Sequence, residues 1–314
     1  MSEDPKDDEI TAGDKTSVIS SDTFKGRLAE ATNAPPSLVL LVGPNSYIGK
    51  QWPLTAGDVV VGRDPRSHVF VDDKSVSKSH AKVVFSGKEV SIMDLESTNK
   101  TVINGRVVPP LTLVKLKNND QIKTGNVIFK FLESGNIESM TTKSTYDRGQ
   151  IDGLTQIFNK AALLEHGKEA FKRSGLMQFP LTAIAFDLDH FRQVNNNFGH
   201  LAGDYVLKTL ADLVKAKVIR GDDFFARFGG EEFVVILHGS NLQQGADIAE
   251  RARQAVQTHV FEYEGKKLPI TISLGVAEKS ATMAGWDDLF KAADEALYRS
   301  KNNGRNQTTK HKSS

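Results

Sequence analysis

The 314-residue chain contains no cysteine, which excludes disulfide cross-links, thiolate metal sites and thiol catalysis and fits a reducing compartment. It also lacks an excess of charge. Its 40 Lys and Arg residues face 39 Asp and Glu residues, and the net charge of +1 argues against nucleic acid as a partner. No apolar run is longer than residues 38–42, far short of the roughly 20 residues that a membrane span requires. Nor does a basic segment followed by an apolar core open the chain. We therefore expect a cytoplasmic protein without membrane insertion. What is present is ordinary for a soluble globular protein, 39% hydrophobic and 25% charged, and the length predicts two domains with tails.

The most informative stretch is Arg227-Phe228-Gly229-Gly230-Glu231-Glu232-Phe233. Two glycines between β-prone apolar runs (224–228 and 233–237) predict a tight hairpin turn, because only glycine takes positive φ without a steric cost. Two adjacent carboxylates at such a turn repel each other and call for a cation. Hard oxygen ligands of this kind suit Mg²⁺ carrying a phosphate.

Residues 1–34 are polar and acid-rich and read as a disordered tail. From 35 to 133 short alternating strands at 37–42, 51–54, 59–62, 81–86, 89–94, 101–103, 121–123 and 126–132, with almost no helical period, predict a β-sandwich. Gly62-Arg63, Ser77-Lys78-Ser79-His80, Ser97-Thr98-Asn99 and Asn104-Gly105 fall in this stretch in order. Through them it resembles the forkhead-associated (FHA) domain, a reader of phosphothreonine peptides. The resemblance implies that Arg63, Ser77, Lys78, Thr98 and Asn99 meet the phosphate, a near-dianion suited to charge-assisted and hydroxyl donors, and that His80 orders the loops from within. Lys78 stands where the family usually has arginine, which keeps the charge but not the planar fork. Lys100 stands where a glycine usually follows the asparagine. In the tail, Thr16 and Thr11 are the candidate phosphosites. FHA domains often read the residue three places on, which is Ile19 after Thr16 and Asp14 after Thr11. The chain's own tail, phosphorylated by a Ser/Thr kinase, or a partner protein is thus the expected ligand.

Residues 134–150 read as a polar linker with a helical end. From 151 to 308 the pattern changes: a buried strand at 181–187, helical spacing at 203–218, the hairpin at 224–237, a helix at 242–260, a strand at 268–277 and a helix at 286–301. This order predicts an α+β, ferredoxin-like palm, in which Asp187, at the end of the first strand, meets Glu231 at the turn. Residues 309–314 read as a second disordered tail.

Six motifs in order make this half similar to the GGDEF family of diguanylate cyclases. They are Asp152-Gly153-Leu154-Thr155 with Asn159; Asp187-Leu188-Asp189-His190-Phe191-Arg192 leading to Asn195; Phe198-Gly199-His200 with Gly203-Asp204; the turn 229–233; residues 272–277; and 293–298 leading to Lys301 and Gly304-Arg305-Asn306. The resemblance implies condensation of two GTP into cyclic di-GMP and two pyrophosphates by a homodimer, since one domain supplies half the active site. Two Mg²⁺ per site, or Mn²⁺ in their place, would be held by Asp187, the Leu188 carbonyl and Glu231. Glu231 would accept the proton, assisted by Glu232. Asn195 and Asp204 would read guanine, His200 the nucleobase or ribose side, and Lys301 and Arg305 the β- and γ-phosphates. Arg192 replaces the usual lysine that stabilises the transition state. Arg220, Asp223 and Arg251 match an inhibitory site for cyclic di-GMP. Two competing readings are a catalytically silent GTP or cyclic di-GMP receptor with a phosphopeptide scaffold, and a synthase of mixed purine dinucleotides.

Overall fold

The computed structural model describes residues 33–311 apart from Asn45, Ser46, Ala56 and Lys88. Thr11 and Thr16 lie outside the described residues. Eleven short strands build the first unit: β1 (Ser37–Val42), β2 (Gln51–Pro53), β3 (Gly57–Gly62), β4 (Val69–Phe70), β5 (Ala81–Phe85), β6 (Val90–Asp94), β7 (Thr101–Ile103), β8 (Arg106–Val107), β9 (Val114–Lys115), β10 (Gln121–Thr124) and β11 (Val127–Leu132). They form two sheets, ordered β2-β1-β11-β10-β7-β8 and β4-β3-β5-β6-β9. The period-two alternation of strands such as β6 and β10 sends Ile92 and Ile122 inward to a core with Leu38, Leu40, Val83 and Phe129.

The linker is more regular than its composition suggests. Helix α1 (Ile137–Gly149) fills most of it, started by Asn136, whose side chain accepts the Glu138 N–H. Its polar sequence carries no apolar stripe, so capping and docking rather than amphipathicity hold it. Lys130 on β11 bonds the Glu138 carboxylate at 2.7 Å, and Gln51 on β2 reaches the Ser139 hydroxyl.

The second unit comprises α2 (Lys160–Met177), β12 (Leu181–Leu188), α3 (Phe191–Phe198), α4 (His200–Lys217), β13 (Phe224–Gly229), β14 (Glu232–His238), α5 (Leu242–Thr258), the ribbon β15 (Phe261–Tyr263) and β16 (Lys266–Leu268), β17 (Ile272–Glu278), α6 (Trp286–Asn302) and β18 (Thr308–Lys310). The sheet order is β13-β14-β12-β17-β18. Every residue of β12 is buried, as its unbroken apolar run requires of a central strand covered on both faces. Two expectations change here. Helix α2, begun by the Asn159 side chain accepting the Ala162 N–H, precedes the first strand. The tail expected from 309 is not disordered at its start: residues 308–310 pair parallel with β17. No helix among the described residues is long and apolar enough to cross a membrane.

The two units meet through α1 and α2. Lys50, between β1 and β2, places Nζ 2.9 Å from Glu165 Oε1 on α2, and the Tyr146 hydroxyl of α1 donates to the same carboxylate at 2.9 Å. Asp72, in the loop that goes on to Ser77, pairs with Lys172 of α2.

Candidate active site and phosphate-reading loops

The end of β12 and the β13–β14 turn converge. Asp187 stands opposite Glu232 in the ladder, and the Leu188 N–H points to the Glu231 carbonyl at 3.4 Å. The turn is held open by a left-handed Gly230 (φ 51°) and from behind by Arg227. The Arg227 Nε and Nη2 donate to the Gly230 carbonyl at 2.9 and 2.7 Å, and its Nη1 meets Asp152 Oδ1 at 3.1 Å. Asp152 also accepts the Thr155 N–H and hydroxyl. Burial works to raise the Asp152 carboxyl, but the Thr155 and Arg227 bonds outweigh it and hold it below the usual range. The entry motif thus buttresses the turn, a link that spacing alone did not reveal.

Asp187 is only 6% exposed. Burial pushes its carboxyl up to about 6; Lys301, with Nζ 2.8 Å from Oδ2, opposes the rise, and Glu231 and Glu232 add to it. A corner where burial and like charge penalise a carboxylate is one that a cation stabilises. Among the described residues no group of three or more His, Cys, Asp or Glu gathers to form a metal cage. One or two carboxylates with a main-chain carbonyl are the donor set that suits magnesium, which keeps waters and takes phosphate oxygens for the rest. The residues present therefore fit the ion.

Helices α3 and α4 bring the other predicted residues alongside. Asn195 packs over Gly203 so closely that a Cβ there would lie 2.0 Å from Asn195 Oδ1, which is why that position must be glycine. Asp204, one residue on, is exposed, as are Arg192 and His200. Lys301 lies in the last turn of α6 but is paired with Asp187, while Arg305 is exposed just beyond the helix.

In the sequence Asp189 stands only as part of a motif, and the structure gives it a distinct place. It is 4% exposed; Oδ1 accepts the Ser273 hydroxyl at 2.6 Å, and Oδ2 accepts the Thr271 hydroxyl at 2.7 Å and the Asn306 N–H at 3.0 Å. The sequence holds the carboxylate just beyond β12 and the hydroxyls at 271 and 273, but only topology makes them neighbours.

Arg220 and Arg251 line one hollow of about 210 Å³ with Ser240, Gln244, Asp247 and Ile248. Asp223 is not among its lining residues. Its carboxylate instead accepts the Arg220 N–H at 2.9 Å.

In the β-sandwich, the loops carrying Arg63, Ser77, Lys78, Thr98 and Asn99 interlock. The Arg63 N–H donates to the Ser77 carbonyl at 3.0 Å, the Thr98 N–H to Ser77 Oγ at 3.1 Å, and Asn99 Nδ2 to the Ser75 carbonyl at 2.8 Å. Arg63, Lys78 and Thr98 remain exposed. His80 is fully buried, and burial holds its pKa down; Nδ1 accepts the Ser77 N–H and Nε2 lies 3.3 Å from the Lys100 carbonyl. Lys100 takes the left-handed conformation at φ 57° that a glycine would adopt freely. The loop is held by Asp94, which was not singled out from sequence. Its carboxylate accepts from the backbone and hydroxyl groups of both Ser97 and Thr101.

Comparison with known proteins agrees with the two-unit architecture. The family model for the diguanylate cyclase GGDEF domain matches residues 149–307, and that for the FHA domain matches residues 59–125. Diguanylate cyclase DgcP of Pseudomonas aeruginosa is 42% identical over 156 residues, which is 50% of this chain but only 23% of that protein. Diguanylate cyclase A of Treponema denticola is 29% identical over 278 residues, covering 80% of this chain and 75% of that one. The crystal structure of the GGDEF domain of DgcB from Caulobacter crescentus in complex with c-di-GMP superposes with a TM-score of 0.51 at 30% identity, covering 52% of this chain and 94% of that chain.

Proposed function

Since the chain belongs to the GGDEF family of diguanylate cyclase domains, we propose that it condenses two GTP into cyclic di-GMP and two pyrophosphates. In each of two steps a ribose 3′-oxygen bonds to an α-phosphorus, the bond from that phosphorus to the pyrophosphate oxygen breaks, and the hydroxyl proton passes to Glu231. The observation that carries this reading is the convergence of Asp187 with the Glu231-Glu232 turn, in register and at a corner that favours a cation. Asp187, the Leu188 carbonyl and Glu231 would hold Mg²⁺. Bound there, the ion would neutralise charge that develops on phosphate. Asn195 and Asp204 orient guanine, the carboxylate accepting from N1–H and N2–H, with His200 on the same side. Lys301 and Arg305 take the terminal phosphates; Lys301, here paired with Asp187, would be free to do so if Asp187 held a cation instead. Arg192 adds positive charge opposite the reacting phosphate, and Glu232 assists at the turn. Because one domain presents one such half-site, catalysis belongs to a homodimer.

The FHA loops offer a phosphothreonine the basic and hydroxyl donors it needs. The direct contact of the neighbouring loop with α2, through Asp72 and Lys172, supports their controlling the cyclase. A phosphorylated Thr16, or Thr11, of the same chain would reach them at high effective concentration. Equal binding of a tail peptide with and without phosphate at Thr16 would exclude this. The hollow of Arg220 and Arg251 is proposed as a product-binding brake. If Arg220→Ala leaves product sensitivity unchanged, that assignment fails.

The decisive test is to incubate the full-length protein with GTP and Mg²⁺, with and without ATP, and to identify the product by mass. Cyclic di-GMP alone supports the proposal. Nucleotide binding without product indicates a receptor, and mixed dinucleotides indicate a broader synthase.

A further inference from the structure

Beyond the end of α6 the chain makes an uncommon turn. Gly304, Arg305 and Asn306 follow one another with φ of 109°, 64° and 44°. Two successive non-glycine residues in the left-handed region cost of order 1 kcal/mol or more each, so the surroundings must impose the shape. Four bonds do so. The Arg305 N–H donates to the Ser300 carbonyl at 3.0 Å, the Leu274 N–H to the Gln307 carbonyl at 2.9 Å, and Arg253 Nη1 to Asn306 Oδ1 at 2.8 Å. The fourth, Asn306 N–H to Asp189 Oδ2 at 3.0 Å, is the one of these that ties the turn to the residue just beyond the end of β12, two places after Asp187.

Asp189 is suited to that task. Its own N–H donates to the Thr271 carbonyl at 2.9 Å, and its carboxylate gathers two hydroxyls as well as the Asn306 amide, so three segments distant in sequence share one buried anion. Burying a carboxylate is costly unless it is bonded this fully. Packing the end of β12 against β17 would not by itself call for a charge.

We propose that Asp189 is a positioning residue for the triphosphate. It holds the turn bearing Arg305 at a fixed place relative to Asp187, so that the terminal phosphates and the reacting α-phosphate are gripped in one frame. The proposal deepens the cyclase reading and rests on it, since Arg305 is assigned to the phosphates there. Asp189 touches no substrate in this scheme. Its effect passes through Arg305 and should be felt by ligands in proportion to their phosphate tails.

The test measures binding by the full-length protein of the non-reacting analogue α,β-methylene GTP and of GMP, each with Mg²⁺, in wild type, Asp189→Ala, Asp189→Asn, Arg305→Ala and the Asp189→Ala/Arg305→Ala double variant. We expect Asp189→Ala to weaken the triphosphate analogue by about tenfold or more and GMP by less than about twofold. Asp189→Asn, which keeps an acceptor for the Asn306 N–H, should recover most of that loss. In the Arg305→Ala background the Asp189→Ala effect should shrink below about threefold, since the two act as a unit. Equal losses for both ligands, or losses that add independently of Arg305, would overturn the assignment in favour of a purely structural role. Should Asp189→Ala fail to fold, Thr271→Val, which removes a hydroxyl donated to the same Oδ2 that accepts the Asn306 N–H, carries the same comparison, with Asp189→Asn as its near-neutral control. A wild-type chain that binds neither nucleotide would overturn the cyclase reading along with this one. A wild type that binds and turns over GTP with Asp189 variants indifferent to the phosphate tail would overturn this one alone.

Discussion

Lys50 of the β-sandwich and Glu165 of helix α2 form an ion pair across the unit boundary, Nζ to Oε1 2.9 Å, with the carboxylate side chain 6% exposed. Burial raises the Glu165 carboxyl; Lys50, the largest opposing influence, and the Tyr146 hydroxyl draw it back down. Among the described residues, Lys50→Ala would leave this acid buried with the Tyr146 hydroxyl as its hydrogen-bond partner. We expect a loss of about 1–3 kcal/mol of stability, the range for leaving a buried polar group short of a partner and below that for a fully buried ion pair, because the Lys50 side chain is 24% exposed. Thermal unfolding of the variant, alone and combined with Glu165→Gln, measures it. The second change should restore part of the loss by removing the charge.

Arg227 is tied to Asp152 on one side and to the Gly230 carbonyl on the other, so it braces the turn without reaching into it. Arg227→Ala should lower kcat by about 10–100-fold through misplacement of Glu231, with a smaller change in KM. Steady-state kinetics with GTP give both constants.

Removing divalent cations with a chelator should abolish product formation and let it return on adding Mg²⁺. Glu231→Gln should lower kcat by about 100-fold or more while the fold persists. Product analysis together with circular dichroism separates the two effects.

His166 stacks on Phe224, ring centroids 4.1 Å apart, and its Nε2 lies 3.0 Å from that of His238. Burial, then the neighbouring His238, lowers its pKa from 6.5 to about 3. The unfolded chain therefore binds the extra proton between these values. Stability contributed by the neutral ring is full above about pH 6.5 and is lost as pH falls toward 3, by up to about 1.4 kcal/mol per pH unit. Denaturant unfolding from pH 7 to 4 should show this slope, and His166→Leu should flatten it.

The second unit was legible in the sequence where the pattern is local. The apolar run of β12 ending in acids and the paired glycines of the turn were readable in order, whereas the seating of Asn195 against Gly203 appears only once α3 and α4 are packed. The two-layer β unit followed from alternation in short strands. What escaped notice depends on contacts between distant segments. Helix α1 has no apolar stripe and is held by the Asn136 cap and by side chains of the sandwich. Strand β18, with the sequence Thr-Thr-Lys, gains its conformation from β17. The Lys50–Glu165 pair joins positions 115 apart, and Asp189 meets hydroxyls more than 80 residues away. Neither separation leaves a periodic trace.

Strand β18 also has a practical bearing. Its three rungs against Leu274, Gly275 and Val276 clasp the chain immediately after the turn that bears Arg305. A reporter fused directly behind Asn306 would forfeit that clasp and unsettle the turn while sparing the interior. A fusion placed beyond His311 would leave it whole.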